Sequence, residues 1–305
     1  MINQIKKAGG NLLILDAGDL LFERYVSSTL SPSLQKEALL DAQLMISAFN
    51  LMGCDAVGVG DDDLKLGAKA FVRLRKKASF PFISTNVVSM NGRKISASYA
   101  IKKVGGLRWG IFSLLSPKMP LASSPRDWKV GEPLRSARQV MKDLKGRADF
   151  IILLAHMPLR ELRALLSQLQ GVTIAVAGHN TSGLRRAMQM GHTIVVRSYG
   201  WGRYLGRLDL YIKAPEAPFV DETKVRMLER DLAVVNRRIK EGAPRNFEEL
   251  KTKMEAQLRE MKGGNIYRNQ LILLSSRLQE DKGVKRLMQD FSAKKKELKK
   301  RCSEK

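Results

Sequence analysis

The stretch LLILDAGD at residues 12–19 is a short apolar run that ends on carboxylates, and it decides how the rest of the chain is interpreted. Three further runs end on an acidic or imidazole side chain in the same way. They are DAVGVGD at 55–61, FIILLAH at 150–156 and VTIAVAGH at 172–179. Runs of this length, rich in Ile, Val and Leu and bounded by Gly or Asp, are typical of buried parallel strands.

The residues that close these four runs are Asp19, Asp61, His156 and His179. Side chains just past the carboxyl ends of the strands share one edge of an open α/β sheet, where such folds place their chemistry. Carboxylate oxygens and imidazole nitrogens together suit a divalent metal such as Zn, Mn or Fe. The pattern therefore predicts a metal site on one rim of the fold.

The chain carries a large excess of positive charge. Its 305 residues include 54 Lys and Arg against 30 Asp and Glu, which gives a net charge of +24, and 44% of them are hydrophobic. A chain of this length can bury a full core and carry a second module. The charge favours anionic ligands, nucleic acid or an acidic membrane surface, and it does not distinguish among them.

The two cysteines, Cys54 and Cys302, imply no disulfide framework, and we expect Cys54 to lie in the core. The apolar stretch that follows Lys6 and Lys7 is broken by Asp16 and lacks a signal-peptide cleavage pattern. No segment reaches the ~18 consecutive apolar residues that a membrane span needs. We therefore expect a soluble chain, cytoplasmic as written and exported if a signal peptide lies upstream.

The organisation of the chain changes near residue 215. Before it, strands alternate with amphipathic stretches at 34–52, 68–78, 133–146 and 159–170, which predicts βα units around a largely parallel sheet.

After APEAPF at 214–219 the strand signals stop, and apolar residues recur at helical spacing over 225–239 and again over 247–261. We predict an α/β domain at 1–213, a linker at 214–220 and a basic, coiled-coil-like helical tail at 221–305. The tail is expected to pack on the α/β domain or to mediate self-association.

The order of the motifs resembles the calcineurin-like metallophosphoesterases, specifically their 5′-nucleotidase branch. The resemblance covers roughly residues 1–213. It implies a β-sandwich flanked by helices, with a two-metal site on its rim, and it assigns Asp19, Asp61, His156 and His179 to one of the two metals. The segments that carry it are LLILDAGDLL (12–21), NLMGCDAVGVGDDDLKLG (50–67), FPFISTNV (80–87), FIILLAHMP (150–158), VAGHNT (176–181) and VVRSYGWGRYLGRLDL (195–210).

Several family motifs are altered in this chain. The Asp-x-His strand of the family would fall before residue 1, so we expect the first strand of the fold to be missing. The family's Gly-Asn-His-Glu is replaced by GDDD at 60–63, which puts Asp62 at the position of the catalytic His. The family's Gly-His-x-His ends here on Thr181. The second metal would keep only the shared Asp19, so we expect one divalent metal, or none.

The substitution at Asp62 bears directly on catalysis. An imidazole at this position can be cationic near neutral pH and can protonate a departing oxygen. A carboxylate beside a dication stays ionised and repels a phosphate. Three consecutive aspartates are also typical of a solvated turn that caps the next helix, and that interpretation stays open.

Other polar residues fit simpler roles. His192 matches no ligand position and is expected to be structural, while Asp16 and Asn86 are expected to be strand-end or turn residues. The nucleotide-binding C-terminal domain of 5′-nucleotidases has no counterpart in the helical tail, so the resemblance does not assign a nucleotide substrate.

Three functional hypotheses follow from the sequence. The first is a pseudoenzyme or weak phosphoric-ester hydrolase that keeps one metal position and takes a phosphorylated small molecule or another anion. The second is an active metal-dependent phosphoesterase whose first motif lies upstream of residue 1. The third is a basic polyanion-binding or scaffolding module, whose binding would weaken steeply as salt rises.

Overall fold

The computed structural model describes residues 2–121, 127–179, 184–198, 202–276 and 278–303. The helices predicted at 34–52, 68–78, 133–146 and 159–170 are confirmed as α2 to α5, and a short 3-10 helix covers Asp62–Leu64. The helices are α1 (Ile2–Lys7), α2 (Pro32–Met52), α3 (Gly67–Arg75), α4 (Pro133–Leu144), α5 (Leu159–Leu166), α6 (Glu222–Lys240), α7 (Asn246–Gly263) and α8 (Lys282–Ser303).

The strands form two sheets that hold the predicted site, together with a third sheet and a two-stranded ribbon. The first sheet has the parallel order β1-β2-β3, and the second has the order β10-β11-β9-β8-β6-β5 with parallel pairing from β11 to β6. The strands are β1 (Leu15–Asp16), β2 (Ala56–Gly58), β3 (Phe82–Ile83), β4 (Val87–Ser89), β5 (Tyr99–Val104), β6 (Leu107–Leu115), β7 (Trp128–Val130), β8 (Phe150–His156), β9 (Ile174–Ala177), β10 (Met188–Met190), β11 (Thr193–Val196), β12 (Tyr204–Tyr211), β13 (Phe219–Asp221) and β14 (Asn265–Leu273).

The first and second sheets pack face to face. Buried side chains from both, such as Ala56 and Ile83 on one side and Ile111 and Ile152 on the other, form one apolar cluster. At Gly58 the sheets approach so closely that a Cβ atom would lie 2.6 Å from Ser113 Oγ. This confirms the α/β sandwich that the sequence predicted.

Helices cover the outer face of each sheet. The buried face of α2 contributes Ala42 and Ile46 to a cluster with α3 and the first sheet, and the buried face of α4 contributes Val140 and Leu144 to a cluster with α5 and the second sheet. Helix α2 begins after Ser31, whose hydroxyl accepts the Leu34 N–H, and it ends at a left-handed Gly53. The result is a four-layer arrangement in which the two facing sheets lie between helices.

The prediction that the segment 221–305 is helical throughout was wrong at β14. This strand pairs antiparallel with β12 along its whole length and parallel with β13. Tyr267 of β14 is 1% exposed and lies in the same apolar cluster as Trp109 and Phe150 of the second sheet. The strand therefore ties the C-terminal segment into the α/β core, although helices α6, α7 and α8 form as predicted.

Helix α8 packs against α2 from the outside. Lys295 lies 2.6 Å from Asp41 and 3.8 Å from Glu37, and Lys299 lies 3.5 Å from Glu37. In the part of the chain that the structure describes, no helix is long and apolar enough to cross a membrane.

Two structural roles predicted from the sequence are confirmed. Cys54 is buried, and burial raises the pKa of its thiol to about 12. Asn86 is 3% exposed and clamps two loops, because its amide donates to the carbonyls of Leu115 and Gly131 while its oxygen accepts the Leu115 N–H.

Candidate metal centre

The four predicted ligand residues lie together at the carboxyl ends of their strands. Asp19 follows β1 and Asp61 follows β2, while His156 ends β8 and His179 follows β9. One ligand atom from each residue lies within 4.8 Å of the other three. We call this group the metal centre. Two facing sheets are needed to assemble it, because each sheet supplies two of the four side chains.

His156 is the central residue of the metal centre and is 1% exposed. Its Nδ1 lies 3.0 Å from the carbonyl oxygen of Ala17, which can only accept, so Nδ1 carries the hydrogen in the neutral ring. Its Nε2 lies 3.0 Å from Asp61 Oδ1 and 3.2 Å from Asp19 Oδ2. The carbonyl therefore fixes the tautomer and aims Nε2 at both carboxylates.

The electrostatics of this group are those of a cation site. Burial opposes the charged form of His156, yet the hydrogen bonds and charges of Asp19 and Asp61 raise the pKa of His156 to about 10. Burial also opposes the ionisation of Asp19, but His156 holds the pKa of Asp19 below its usual value. A proton on Nε2 occupies the place that another cation could take.

Asp19 and His179 hold unusual backbone conformations. Their φ angles are +63° and +47°, and within the described residues they are the only non-glycine residues with positive φ. Such conformations cost energy for residues with a side chain and often mark functional sites. Both side chains belong to the metal centre, where His179 Nδ1 lies 3.7 Å from Asp61 Oδ1 and the His179 ring lies 5.2 Å from that of His156.

Three glycines leave room for the His156 ring. A Cβ atom at Gly18 would lie 2.9 Å from His156 Nδ1, one at Gly60 would lie 2.9 Å from Cε1, and one at Gly178 would lie 3.0 Å from Nδ1. Each of the three glycines comes directly before a predicted ligand in the chain. The Gly-Asp and Gly-His pairs in the sequence therefore have a packing reason, because the imidazole touches all three loops.

Asp63 is a site residue that sequence reasoning did not single out. Its side chain is fully buried and accepts the N–H groups of Gly60 (2.8 Å), Asp19 (3.0 Å) and Leu21 (2.8 Å). It thus ties the loop of Asp19 to the loop of Asp61. Burial raises the pKa of Asp63 to about 7. The GDDD run was the available signal, but it does not reveal which aspartate faces inward.

The side chain of Asp62 faces a lysine. Asp62 Oδ1 lies 2.9 Å from Lys65 Nζ, and the two side chains are 15% and 4% exposed. The same ammonium group donates to the carbonyls of Glu23 (3.2 Å) and Arg24. Only the backbone of Asp62 serves the metal centre, since its N–H donates to Asp19 Oδ1 at 2.9 Å. Asp61, Asp62 and Asp63 therefore do not form the solvated turn that the sequence left open.

The remaining candidates lie outside the metal centre or outside the described residues. His192 is exposed in the turn between β10 and β11 and does not belong to the metal centre, as expected for a residue that matches no ligand position. Asp16 holds a strand-end turn by accepting the Gly18 N–H, as predicted, and burial raises the pKa of Asp16 to about 6. Thr181 lies outside the described residues.

The donor set fits a divalent transition metal. It offers two carboxylates and two imidazoles, with the more buried imidazole held in one tautomer by a carbonyl. Among the described residues, this is the only group of three or more acidic, His or Cys side chains close enough to share an ion.

Comparisons with known proteins agree with this geometry. No family model matches the chain. The chain is 22% identical over 219 residues to an uncharacterized metallophosphoesterase of Bacillus subtilis, which covers 70% of this chain and 45% of the relative. It is 26% identical over 233 residues to the 5′-nucleotidase of Rattus norvegicus, which covers 68% of this chain and 39% of the relative. The chain thus spans less than half the length of these two relatives.

Solved structures share the fold. A 5′-nucleotidase precursor from Thermus thermophilus superposes with a TM-score of 0.66 at 18% identity, over 96% of this chain and 51% of that one. A calcineurin-like phosphoesterase from Bacillus subtilis gives the same TM-score at 17% identity, over 98% of this chain and 89% of that one. The chain therefore has the fold of the calcineurin-like phosphoesterases, and its sequence is similar to those of metallophosphoesterases and 5′-nucleotidases.

Proposed function

We propose that this chain holds one divalent metal through Asp19, Asp61, His156 and His179, and that it hydrolyses phosphoric esters weakly or not at all. The observation that carries the proposal is the contrast within the GDDD loop. Asp61 belongs to the four-residue metal centre, whereas the Asp62 side chain is paired with a buried lysine. The ligand would be a phosphorylated small molecule or another anion.

The metal-binding part of the proposal rests on the four donor side chains and on the contacts that hold them in place. A divalent ion held here would supply Lewis-acid stabilisation of phosphate oxygens. The residues of this chain do the rest: Ala17 fixes the His156 tautomer, Asp63 joins the two aspartate loops, and the Asp62 N–H orients the Asp19 carboxylate. Zn, Mn and Fe all suit two carboxylates and two imidazoles.

The weak-turnover part of the proposal rests on the lack of a group that can protonate the departing oxygen. Loss of a general acid typically lowers the rate by ~10²–10⁴. At the position where the family has its catalytic imidazole, this chain has a carboxylate bonded to Lys65, and that ammonium group is already shared with two carbonyls. Neither group of the pair is free to protonate a departing oxygen.

An active phosphoesterase is the second candidate, and one observation favours it. Asp19 and His179 keep strained backbone conformations that a purely structural loop would not need. The relatives named as 5′-nucleotidases support the same class of chemistry.

Metal content and turnover, measured on the same preparation, separate the two. After chelation and reconstitution with Zn, Mn or Fe, we expect close to one tightly held ion per chain and little or no hydrolysis of a generic phosphomonoester. Asp62→His should not restore turnover, because it supplies an imidazole and leaves Lys65 without its carboxylate. Two tight ions, or robust turnover that His179→Ala abolishes, would establish the active enzyme instead.

A further inference from the structure

The end of the molecule opposite the metal centre carries a concentration of positive charge. The metal centre lies past the carboxyl ends of the strands, so the segments that enter those strands lie at the other end. We call these segments, together with the start of α8, the basic end. They contain 14 Lys and Arg against 5 Asp and Glu. The segments are 2–12, 50–55, 75–81, 102–108, 142–149 and 280–286.

Direct contacts make the basic end one continuous surface. Each of its six segments is joined to at least one other by a hydrogen bond or an ion pair. These contacts are Asn3 Nδ2 to Asp281 Oδ2 at 2.8 Å, Lys6 Nζ to the Met52 carbonyl at 2.7 Å, Asn50 Nδ2 to the Lys77 carbonyl at 3.0 Å, Lys102 Nζ to Asp55 Oδ1 at 3.7 Å and the Arg108 N–H to Asp149 Oδ2 at 2.7 Å.

The few carboxylates of the basic end are already engaged. Asp149 bonds Arg108, Glu280 bonds Lys285, and Asp281 accepts the Gly283 N–H at the start of α8. Between Asp63 and Asp127 the sequence contains no acidic residue at all. The positive charge at this end is therefore compensated only in part by the protein itself.

The make-up of this surface indicates its partner. Ten of the 14 basic residues are lysines, which act as hydrated point charges without the planar fork of arginine. The only aromatic residue in these segments is Phe80, which is 4% exposed, so no ring is offered for stacking on bases. Leu51, which is 56% exposed, adds an apolar group among the lysines.

From these features we infer that the basic end docks the protein on an anionic phospholipid bilayer. Lysine side chains are attracted to the negative charge of such a bilayer without any need for a specific pocket. An exposed leucine can enter the interface between lipid and water. In this orientation the metal centre points away from the lipid and stays open to the aqueous phase. The inference does not depend on metal binding.

Vesicle co-sedimentation of the full chain tests the inference. Vesicles of equal parts phosphatidylserine and phosphatidylcholine should bind the protein, and pure phosphatidylcholine should not. Each basic residue near the surface contributes about fivefold to the partition coefficient. The triple variant Lys76→Gln, Lys77→Gln, Lys103→Gln should therefore bind on the order of 100-fold more weakly. All three residues are exposed.

A matched triple variant removes the same charge from the other side of the fold. Arg135→Gln, Arg138→Gln and Arg160→Gln lie on exposed positions of α4 and α5 and should leave vesicle binding within a few-fold of the unmodified chain. Equal losses in the two triple variants would mean that only net charge matters and would overturn the proposal. So would absent vesicle binding, or duplex DNA displacing the protein from the vesicles.

Discussion

Asp61 and Asp62 are neighbours in the chain but belong to two different environments. Asp61 faces two imidazoles, and its region has the donor groups of a candidate cation site. Asp62 faces a buried ammonium group that is also held by two carbonyls, and its region already contains its cation. One residue of displacement thus separates a candidate ligand from half of a structural ion pair. The difference shows that the position of a carboxylate within a sequence motif does not by itself assign its role.

The largest effect is expected from breaking the Asp62–Lys65 pair on one side. Asp62→Asn leaves a buried ammonium group without its carboxylate, which should lower the free energy of unfolding by about 3–5 kcal/mol. The double variant Asp62→Asn, Lys65→Met should recover much of this loss, since no charge is left unpaired. Denaturant unfolding of the metal-free variants measures both changes.

The exposed pair Glu280–Lys285 is the control for that experiment. Its two side chains are 70% and 59% exposed, so Glu280→Gln should change stability little. If Asp62→Asn is as mild as this control, the pair near the site is solvated and the contrast with Asp61 disappears.

The next effect concerns metal affinity. His156→Ala removes a proposed ligand whose ring is held in one tautomer, and we expect the affinity for Zn or Mn to fall by more than about 100-fold, because even outer-shell changes cost 10–100-fold. His192→Ala, at an exposed turn away from the metal centre, should not change the affinity. Titration calorimetry measures both. Equal affinities in the two variants would remove His156 from the site.

Asp63→Asn tests whether Asp63 holds the loops of Asp19 and Asp61 in position. The amide can still accept from Gly60 and Asp19 through one oxygen, but its NH2 group faces the Leu21 N–H. A buried N–H left without an acceptor should cost about 1–3 kcal/mol of stability. If the two loops then become less ordered, metal affinity should fall as well. Unfolding followed by circular dichroism measures the stability, and metal titration measures the affinity. Unchanged affinity in a destabilised variant would make Asp63 a purely structural residue.

The last effect is a dependence of stability on pH, and it is the smallest when it is measured over a single pH unit. His156 has a pKa of about 10 in the folded chain against 6.5 for the ordinary side chain. Between these values the folded state keeps a proton that the unfolded state has lost, so the stability of the metal-free protein should fall as pH rises. The slope is at most about 1.4 kcal/mol per pH unit for one proton. Metal affinity should change in the opposite direction, because a metal replaces that proton.

Unfolding curves across this pH range, with and without metal, check the opposite slopes. His156→Gln should flatten both of them, while His192→Gln should leave them unchanged. Parallel slopes with and without metal would indicate that the ion binds elsewhere.

Much of the fold was predictable because its signals are local. The composition of each apolar run before a predicted ligand is enough to predict a strand. The amphipathic stretches likewise predict α2 to α5. Strand β14 was missed because its stability comes from pairing with β12, about 60 residues earlier in the chain. The leucines near its end also have a spacing that suggests a helix when they are considered without that partner.

The sequence by itself determined which residues stand at the carboxyl ends of the strands, and hence that Asp19, Asp61, His156 and His179 share one rim. Strand direction and the two-residue period leave little choice there. Only the tertiary structure decided the roles of Asp62 and Asp63, which follow in the same run. Their side chains are assigned by a short 3-10 helix and by which partner lies across the loop, Lys65 for one and three backbone N–H groups for the other. The N–H groups of Asp19 and Leu21 that bind Asp63 come from a segment about 40 residues earlier in the chain, and so do the carbonyls of Glu23 and Arg24 that accept from Lys65. A charge pattern along the chain carries no information about that approach.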